Sequence, residues 1–168
     1  MMPDMVRPDD ELLLDLLNSA PAVDGKQTDE LRGAGATDWL RAHDLPGTPK
    51  QARDLRNAIA AVVRGEAPAG TLQPYLAGVS QVPSVDGQGV HWKLKGSRFI
   101  ARAVLAWSDL QGRLRPCEND ECRLFLIDRS RANARRWCSM AACGNRLKAR
   151  RHHQRQSENA GHGHRSSQ

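Results

Sequence analysis

Two short stretches bounded by cysteines, CENDEC at residues 117–122 and CSMAAC at residues 138–143, decide how the last third of this chain folds. Four residues separate the cysteines of each pair, and fifteen residues lie between the pairs. Two close cysteine pairs separated by roughly 15–20 residues are typical of a closed tetrahedral zinc site. Because thiolates fill every coordination position, none is left for water or substrate. The spacing therefore predicts one structural zinc ion held by Cys117, Cys122, Cys138 and Cys143.

The rest of the composition favours metal over disulfide bonds at these cysteines. No run approaches the roughly 18 uninterrupted apolar residues of a membrane helix. Acidic rather than basic residues precede the short apolar stretch at 12–14, which is unlike a signal peptide. We therefore expect a soluble, cytoplasmic protein with no membrane partner, in a compartment that keeps thiols reduced. Disulfide bonds, an iron–sulfur cluster and unbound thiols are the alternatives that the four cysteines leave open.

Charge divides the chain into two unlike parts. Residues 1–112 contain 12 Lys and Arg against 14 Asp and Glu, a formal balance of −2. Residues 113–168 contain 13 against 5, a balance of +8. Four zinc-bound thiolates and one dication add about −2, so the C-terminal part stays strongly basic. This asymmetry indicates a polyanionic partner for the C-terminal part and a different role for the rest.

The first two thirds of the chain have the pattern of a mainly helical domain. Thr48-Pro49 is a helix start signal, because a hydroxyl N-cap followed by proline favours initiation, and Gly65 ends that helix. Alternating apolar and polar residues around DGQG at 86–89 predict a β-hairpin within residues 78–96. Apolar residues at helical spacing predict further helices over residues 9–18, 37–43 and 97–111.

The residues after Arg113 predict a small module stabilised by the metal. The apolar run within residues 123–130 indicates a short strand, and Arg135-Arg136-Trp137 is expected to pair back against it. A cationic helix is predicted over residues 144–155. The expected fold is α+β and mainly α. It comprises a helical N-terminal domain with a small β-hairpin (1–112), a four-cysteine zinc module of short β-hairpin plus basic helix (113–156), and a disordered tail (157–168).

The module resembles the CGNR zinc-finger family, which is named for the tetrad present here as Cys143-Gly144-Asn145-Arg146. The preceding region is similar, more loosely, to the mostly helical domain usually fused to this finger. The resemblance implies a bacterial stress-induced transcription regulator whose finger binds DNA. This sequence departs from the family pattern in one respect: the stretch between the helices and the finger is short, so part of the usual β element is expected to be reduced. It is carried by Cys117-x4-Cys122, Phe125, residues 128–130, residues 135–140 and Lys148 in the finger, and by residues 14–18, 38–40, 55–56 and Trp92 before it.

A basic surface of the module is predicted to bind nucleic acid, DNA first. Residues 113–155 contain 12 Lys and Arg, enough for several phosphate contacts. On a helix in the major groove, Arg146 or Arg150 could pair with guanine. The predicted contact residues are Arg135, Arg136, Arg146, Lys148, Arg150, Arg151 and Arg155.

Four further residues are predicted to support the module: Asp128, Trp137, Gly144 and Asn145. Gly144 is expected to let the backbone approach a cysteine sulfur. Asn145 is expected to adopt a left-handed turn and cap the helix. Arg146 has two interpretations, since it either reads bases or pairs with Asp128 and fixes the helix to the strand.

Other functions are weighed against DNA binding. RNA is the alternative nucleic acid, but RNA-binding modules usually expose aromatic residues for stacking, and Phe125 and Trp137 are expected in the core. A third interpretation makes the zinc module a protein-interaction element and the N-terminal domain a sensor of a small-molecule effector. A homodimer is compatible with any of these, because one small finger offers limited interface area. The sequence carries no nucleophile elbow and no His-Glu-x-x-His, so no enzymatic activity is predicted.

Overall fold

The computed structural model describes residues 8–23, 26–96 and 99–162 of the 168-residue chain. Within them it has five α-helices, one 3₁₀ segment and three two-stranded antiparallel sheets, which confirms the α+β, mainly helical prediction. The helices are α1 (Pro8–Asn18), α2 (Ala36–Ala42), α3 (Pro49–Val63), α4 (Phe99–Asp109) and α5 (Asn145–His162), with the 3₁₀ segment at Ala69–Leu76. The strands are β1 (Ala22–Val23), β2 (Lys26–Gln27), β3 (Ser80–Asp86), β4 (Gly89–Lys95), β5 (Leu114–Pro116) and β6 (Phe125–Ile127).

The start of α3 shows why the sequence signal at Thr48 was reliable. The Thr48 hydroxyl accepts a hydrogen bond from the Gln51 backbone N–H, and the Gln51 side chain accepts one from the Thr48 N–H at 2.9 Å. Pro49 follows the cap at the first helical position, where a missing N–H costs nothing. The helix ends at Val63, and Gly65, two residues later, has a φ of 75°, a left-handed conformation that glycine adopts most readily. Local chemistry thus fixes both ends of α3.

One hydrophobic core lies between α1, α3 and α4. Leu13 and Leu16 of α1 and Leu55 and Ile59 of α3 are fully buried in it. The same core also contains three residues from the C-terminal third, Leu114, Phe125 and Ile127. The predicted boundary at residue 112 therefore does not separate two cores, because β5 and β6 pack against the helical domain.

Two predictions about the C-terminal third need correction. The partner of β6 is β5, with Leu114 opposite Ile127, whereas Arg135-Arg136-Trp137 is irregular. The β5–β6 pairing buries both strands in the shared core, which a pairing with the charged 135–137 stretch would not achieve. Helix α5 continues to His162, beyond the predicted limit at Gln156, because no proline or glycine interrupts residues 145–160. Residues 163–168 of the predicted tail, and Ser97 at the predicted start of α4, lie outside the described residues.

A buried ion pair joins α3 to the segment after α1. The Arg56 guanidinium donates to both carboxylate oxygens of Asp29, at 2.8 and 3.0 Å, and to the Ser19 hydroxyl at 3.1 Å. The Arg56 and Asp29 side chains are only 7% and 14% exposed. Hydrogen bonding to Arg56 lowers the pKa of Asp29 despite its burial, so the carboxylate stays ionised at neutral pH.

We expect Arg56→Ala to lower the free energy of unfolding by about 3 kcal/mol, because it leaves the Asp29 charge buried and unpaired. The control is Arg41→Ala, which removes an exposed pair with Asp38 and should cost less than about 1 kcal/mol. Because the native pKa of Asp29 lies below its ordinary value of 3.8, the contribution is complete above that pH and is lost as the pH falls further. Urea unfolding at neutral and acid pH measures both effects. Equal losses in the two variants would contradict this account.

Candidate metal centre and basic surface

Four separate backbone segments bring the cysteines together. Cys117 follows β5, Cys122 ends the turn before β6, Cys138 lies in the irregular stretch, and Cys143 lies in a π-helical turn, Met140–Gly144, that runs directly into α5. All four Sγ atoms lie within 4.8 Å of one another. Cys117 and Cys143 are buried, and the other two cysteines are half-buried. The predicted ligand set is therefore assembled in one place.

The sulfur separations fit a tetrahedral zinc ion. The Sγ of Cys138 lies 3.8 Å from that of Cys122 and 3.6 Å from that of Cys143. Four sulfurs at about 2.3 Å from a central zinc stand about 3.8 Å apart, by the geometry of a tetrahedron. A disulfide bond requires about 2.05 Å. The four cysteines are thus able to hold one zinc ion, and among the described residues they form the one His, Cys or carboxylate cluster with such geometry.

Hydrogen bonds to sulfur orient the ligands. The Asn119 side-chain amide donates to the Sγ of Cys143 at 3.4 Å, and the Cys138 backbone N–H donates to the Sγ of Cys117 at 3.5 Å. Such donors stabilise thiolate ligands and fix their direction. Asn119 is 2% exposed and was not predicted as a site residue. Its position two residues after a ligand was the available signal, but the partner sulfur is 24 residues away in sequence.

Without metal, the thiols do not all ionise alike. Burial raises the pKa of Cys122 to about 11 and also raises the pKa of Cys138. Burial acts in the same direction on Cys143, but hydrogen bonds from Asn119 and the other cysteines outweigh it and lower that pKa. Zinc must therefore displace protons from Cys122 and Cys138 at neutral pH, so zinc affinity falls on acidification.

Gly144 and Asn145 have roles different from those predicted. A Cβ on Gly144 would lie 2.7 Å from the Met140 sulfur and 3.4 Å from the Trp137 ring, so the glycine admits these side chains rather than a cysteine sulfur. Asn145 has φ −70° and ψ −38°, which is right-handed helix and not a left-handed cap. The cap is Ser139, whose hydroxyl accepts from the Ala142 N–H at 3.3 Å. The π turn continues into α5 without a break, which leaves Asn145 no end to cap.

Asp128 supports the module, but not through Arg146. Its carboxylate is fully buried and accepts hydrogen bonds from the backbone N–H groups of Ser130 at 2.9 Å and Arg135 at 2.7 Å. Hydrogen bonding from Ser130 is the largest cause that lowers the pKa of Asp128 to about 2, with Arg135 and the charge of Arg115 adding to it against burial. Asp128 therefore closes the loop of residues 128–135, and Arg146 is exposed elsewhere.

Two arginines that were not predicted hold the same loop. The Arg113 guanidinium donates to the carbonyl of Asp128 at 2.9 Å, and the Arg115 guanidinium donates to the Asn133 side-chain oxygen at 2.6 Å. Guanidinium groups suit this task because they offer several donors in a rigid plane. Part of the positive charge in the module therefore serves the fold, which composition could not indicate.

The predicted nucleic-acid contacts divide into two groups. Arg136 pairs with Glu118 at 2.6 Å, and Arg150 pairs with Glu121 at 3.2 Å. Arg135 donates to the Trp137 and Cys138 carbonyls at 3.1 and 2.5 Å. These three arginines are thus engaged within the module. Trp137, which was predicted to lie in the core, is only half-buried, and its ring lies 5.4 Å from the Arg136 guanidinium.

The second group lies on α5. Lys148, His152 and Arg155 are all exposed, and their spacing of four and three residues puts them on one face of the helix. On the other side of the helix, Leu147, Arg150 and Gln154 line a recess with Glu118, Asp120, Arg136 and Trp137. Arg146 is exposed at the start of the helix. The side chain of Arg151 lies outside the described part of the chain. We call Lys148, His152 and Arg155 the outer face of α5.

The Asn18 side chain connects the finger to the helical domain, because it makes the two backbone hydrogen bonds at Phe125 that a neighbouring strand would otherwise make. The Asn18 side-chain oxygen accepts from the Phe125 N–H at 2.7 Å, and its amide donates to the Phe125 carbonyl at 3.2 Å. The Arg64 guanidinium lies 4.5 Å from the centre of the Phe125 ring and donates to the Arg123 carbonyl at 3.3 Å. Helices α1 and α3 therefore hold the strand that separates the two cysteine pairs.

A helical domain followed by a four-cysteine finger and a cationic helix places this chain in the class of zinc-finger proteins. Comparisons with protein families give the same class. Residues 113–156 match the model of the CGNR zinc finger. Residues 10–121 match the ABATE family model, described as "putative stress-induced transcription regulator". Because that match covers well over half of the 168 residues, the chain belongs to this family.

No functionally curated protein matches this sequence. In residues 8–23, 26–96 and 99–162, no helix has the length and apolar character needed to cross a membrane.

We expect removal of zinc by a chelator, or Cys143→Ser, to destabilise the whole chain in a single thermal transition. The reason is that β6 contributes Phe125 and Ile127 to the core of the helical domain, so the finger and the helices share their stability. The loss should amount to several kcal/mol, since zinc binding supplies folding free energy to such modules.

Circular dichroism melts with metal analysis measure this effect, and Ala142→Ser is the control. Ala142 neighbours Cys143 in the same turn and is exposed, so this variant should keep its zinc and its melting temperature. Two separate transitions, with the helices melting at an unchanged temperature, would show that the two parts fold independently.

Proposed function

We propose that this protein is a bacterial transcription regulator that binds DNA through the outer face of α5. The observation that supports the proposal is the position of Cys143, one residue before Gly144 and two before the start of α5. A zinc ligand at that point fixes the first turn of a helix with five Lys and Arg against one Glu. The helix is thereby presented as a rigid cationic element on a folded support.

The dimensions of α5 suit the major groove of DNA. The helix has 18 residues and is therefore about 27 Å long. The major groove is about 12 Å wide and admits one α-helix. Lys148 and Arg155 stand seven residues apart on one face, which is about 10 Å along the helix axis. This spacing allows them to reach separate phosphates.

The structure also favours some basic residues over others as contacts. Arg136 and Arg150 already pair with Glu118 and Glu121, so a phosphate must compete with a carboxylate for them. Lys148 and Arg155 face solvent on the other side of the helix. We therefore assign phosphate binding first to Lys148 and Arg155. Arg146, whose alternative pairing with Asp128 is not found in the described part of the chain, lies two residues before Lys148 and so on the side of α5 away from the outer face. Base reading by Arg146 is therefore a separate assignment, which requires the N-terminal end of α5 to enter the groove.

The RNA and docking alternatives are less well supported. RNA recognition by small modules relies on exposed aromatic residues, and within the zinc module Phe125 is buried and Trp137 half-buried, while the exposed Trp92 lies outside the module. A small-molecule effector of the helical domain stays a prediction. A regulator with these properties would act in the cytoplasm as a binding protein rather than as an enzyme.

We expect Lys148→Ala and Arg155→Ala each to weaken binding to any DNA duplex and to reduce the slope of log K against log salt by about 0.9. The matched control is Arg136→Ala, which removes the same unit of charge from a residue paired with Glu118 and should leave the slope nearly unchanged. Fluorescence anisotropy across a salt series, with the chain's own upstream DNA and a random duplex, measures both. Equal slopes in all three variants, or no DNA binding at all, would refute the proposal.

Arg146→Ala should narrow the difference in affinity between the upstream DNA and random duplex, at a cost of about 1–3 kcal/mol for one lost base contact. Because Arg146 is exposed and Asp128 is satisfied by other groups, the melting temperature should not change. A melting temperature lowered to the same extent as in a zinc-ligand variant would instead mean that Arg146 is structural.

A further inference from the structure

The three most exposed large apolar residues in the described parts of the chain lie together on the β3–β4 hairpin. Val85 is 75% exposed, Val90 70% and Trp92 65%. The register pairs Val85 with Val90, Pro83 with Trp92, and Gln81 with Leu94, so these six side chains share one face. All six are exposed. We call this set the front face of the hairpin.

None of the six front-face residues is charged, but at the base of the hairpin Gln81 and Leu94 line a recess together with Asp9, Asp10, Arg102 and Asp109 of α1 and α4. The charged residues of the hairpin alternate onto the back face, where Lys93 and Lys95 stand opposite Val82 and Ser80 and where Asp86 lies 3.4 Å from His91. The hairpin thus has an uncharged apolar side and a polar, mostly basic side. This division is the pattern of a sheet that packs against something on one side only.

A hairpin of two strands is marginally stable in water unless its apolar face is covered. Each strand has seven residues, and a two-residue turn at Gly87-Gln88 joins them. The turn is favourable, since the Asp86 carboxylate accepts from the Gln88 N–H at 2.8 Å. The turn fixes the register but buries no apolar surface. A covering partner would therefore stabilise the front face substantially.

We propose that the front face is the contact surface between two copies of this chain. The absence of charge at the tip and middle of the face favours this occupant, because two identical uncharged surfaces meet there without repulsion, and at the base Arg102 is already paired with Asp9. A nucleic acid would find no cation on it, since Lys93 and Lys95 point to the other side. A strongly charged protein partner would likewise gain nothing there.

The order of residues along the hairpin suits a two-fold arrangement. From tip to base the front-face pairs are Val85–Val90, Pro83–Trp92 and Gln81–Leu94. When two such hairpins stack in opposite directions, the tip pair of one copy covers the base pair of the other. The middle pair then lies next to the symmetry axis, so Trp92 packs against its equivalent. A large aromatic residue at the centre of an interface is the usual energetic hot spot.

The available area indicates a weak dimer rather than an obligate one. An aromatic side chain buries about 150–250 Å², and the whole front face amounts to on the order of 500 Å². Two faces together would bury on the order of 1,000 Å², the lower limit for a specific interface. We therefore expect a weak, reversible dimer rather than a permanent one. This inference goes beyond DNA binding and does not depend on it, although a dimer would present two fingers at once.

Sedimentation velocity of the full zinc-loaded chain, without DNA, tests the inference across a micromolar concentration series. We expect a reversible monomer–dimer equilibrium that Trp92→Ala weakens by at least about tenfold. Lys93→Ala, its neighbour on the back face, should leave the equilibrium unchanged. Circular dichroism confirms that each variant is folded. If Trp92→Ala does not fold, Val85→Lys at the tip of the hairpin replaces it, and we expect this variant to weaken the dimer as well.

Each outcome of this experiment either supports or overturns the proposed dimer. Loss of the dimer in the front-face variants, with its retention in Lys93→Ala, supports the inference. A chain that is monomeric at every concentration overturns it, as does a dimer that front-face substitutions do not weaken. Because no DNA is present, failure of the DNA-binding proposal would leave the result unaffected, and a failed dimer would leave that proposal unaffected.

Discussion

The coordination of one zinc ion by four thiolates is the interaction on which the C-terminal third depends. The ligands come from the end of β5, the turn before β6, an irregular stretch and a π-helical turn, and these four segments meet at the sulfur cluster. Sulfurs 3.6–3.8 Å apart would repel one another once ionised, so the metal is what makes their proximity favourable. Its position also sets the direction of α5, because Cys143 lies in the turn from which that helix continues.

A second constraint is that the finger shares the core of the helical domain. Strand β6 lies between the two cysteine pairs and contributes Phe125 and Ile127 to that core. The Asn18 side chain hydrogen-bonds the backbone N–H and carbonyl of Phe125. A small module gains stability in this way without needing further apolar residues. The arrangement also couples the halves, because any change that shifts α1 must move the strand between the zinc ligands. In a regulator, such coupling provides a physical route from the helical domain to the basic helix.

Features with a local cause were predicted well from the sequence, and features with a tertiary cause were not. The cysteine spacing and the Thr48-Pro49 cap are local patterns, and both are found as expected. The pairing of β6 with β5 depends on which partner is apolar enough to enter the shared core. The roles of Asn119, Gly144 and Asn145 depend on neighbours brought in by the metal-bound turns. No periodicity in the sequence carries that information.

The same limit applies to charge. The sequence shows the excess of Lys and Arg after residue 112, but it does not show what each of these residues contacts. Arg113 and Arg115 hold a loop, and Arg136 and Arg150 pair with carboxylates, because the fold brings those partners close.

X-ray absorption at the zinc edge of the purified, zinc-loaded protein tests the central claim, zinc coordination by four thiolates, most directly. The account predicts four sulfur neighbours at about 2.3 Å and one zinc per chain. Nitrogen or oxygen neighbours, or a metal-free protein with sulfurs about 2.05 Å apart in disulfides, would contradict it.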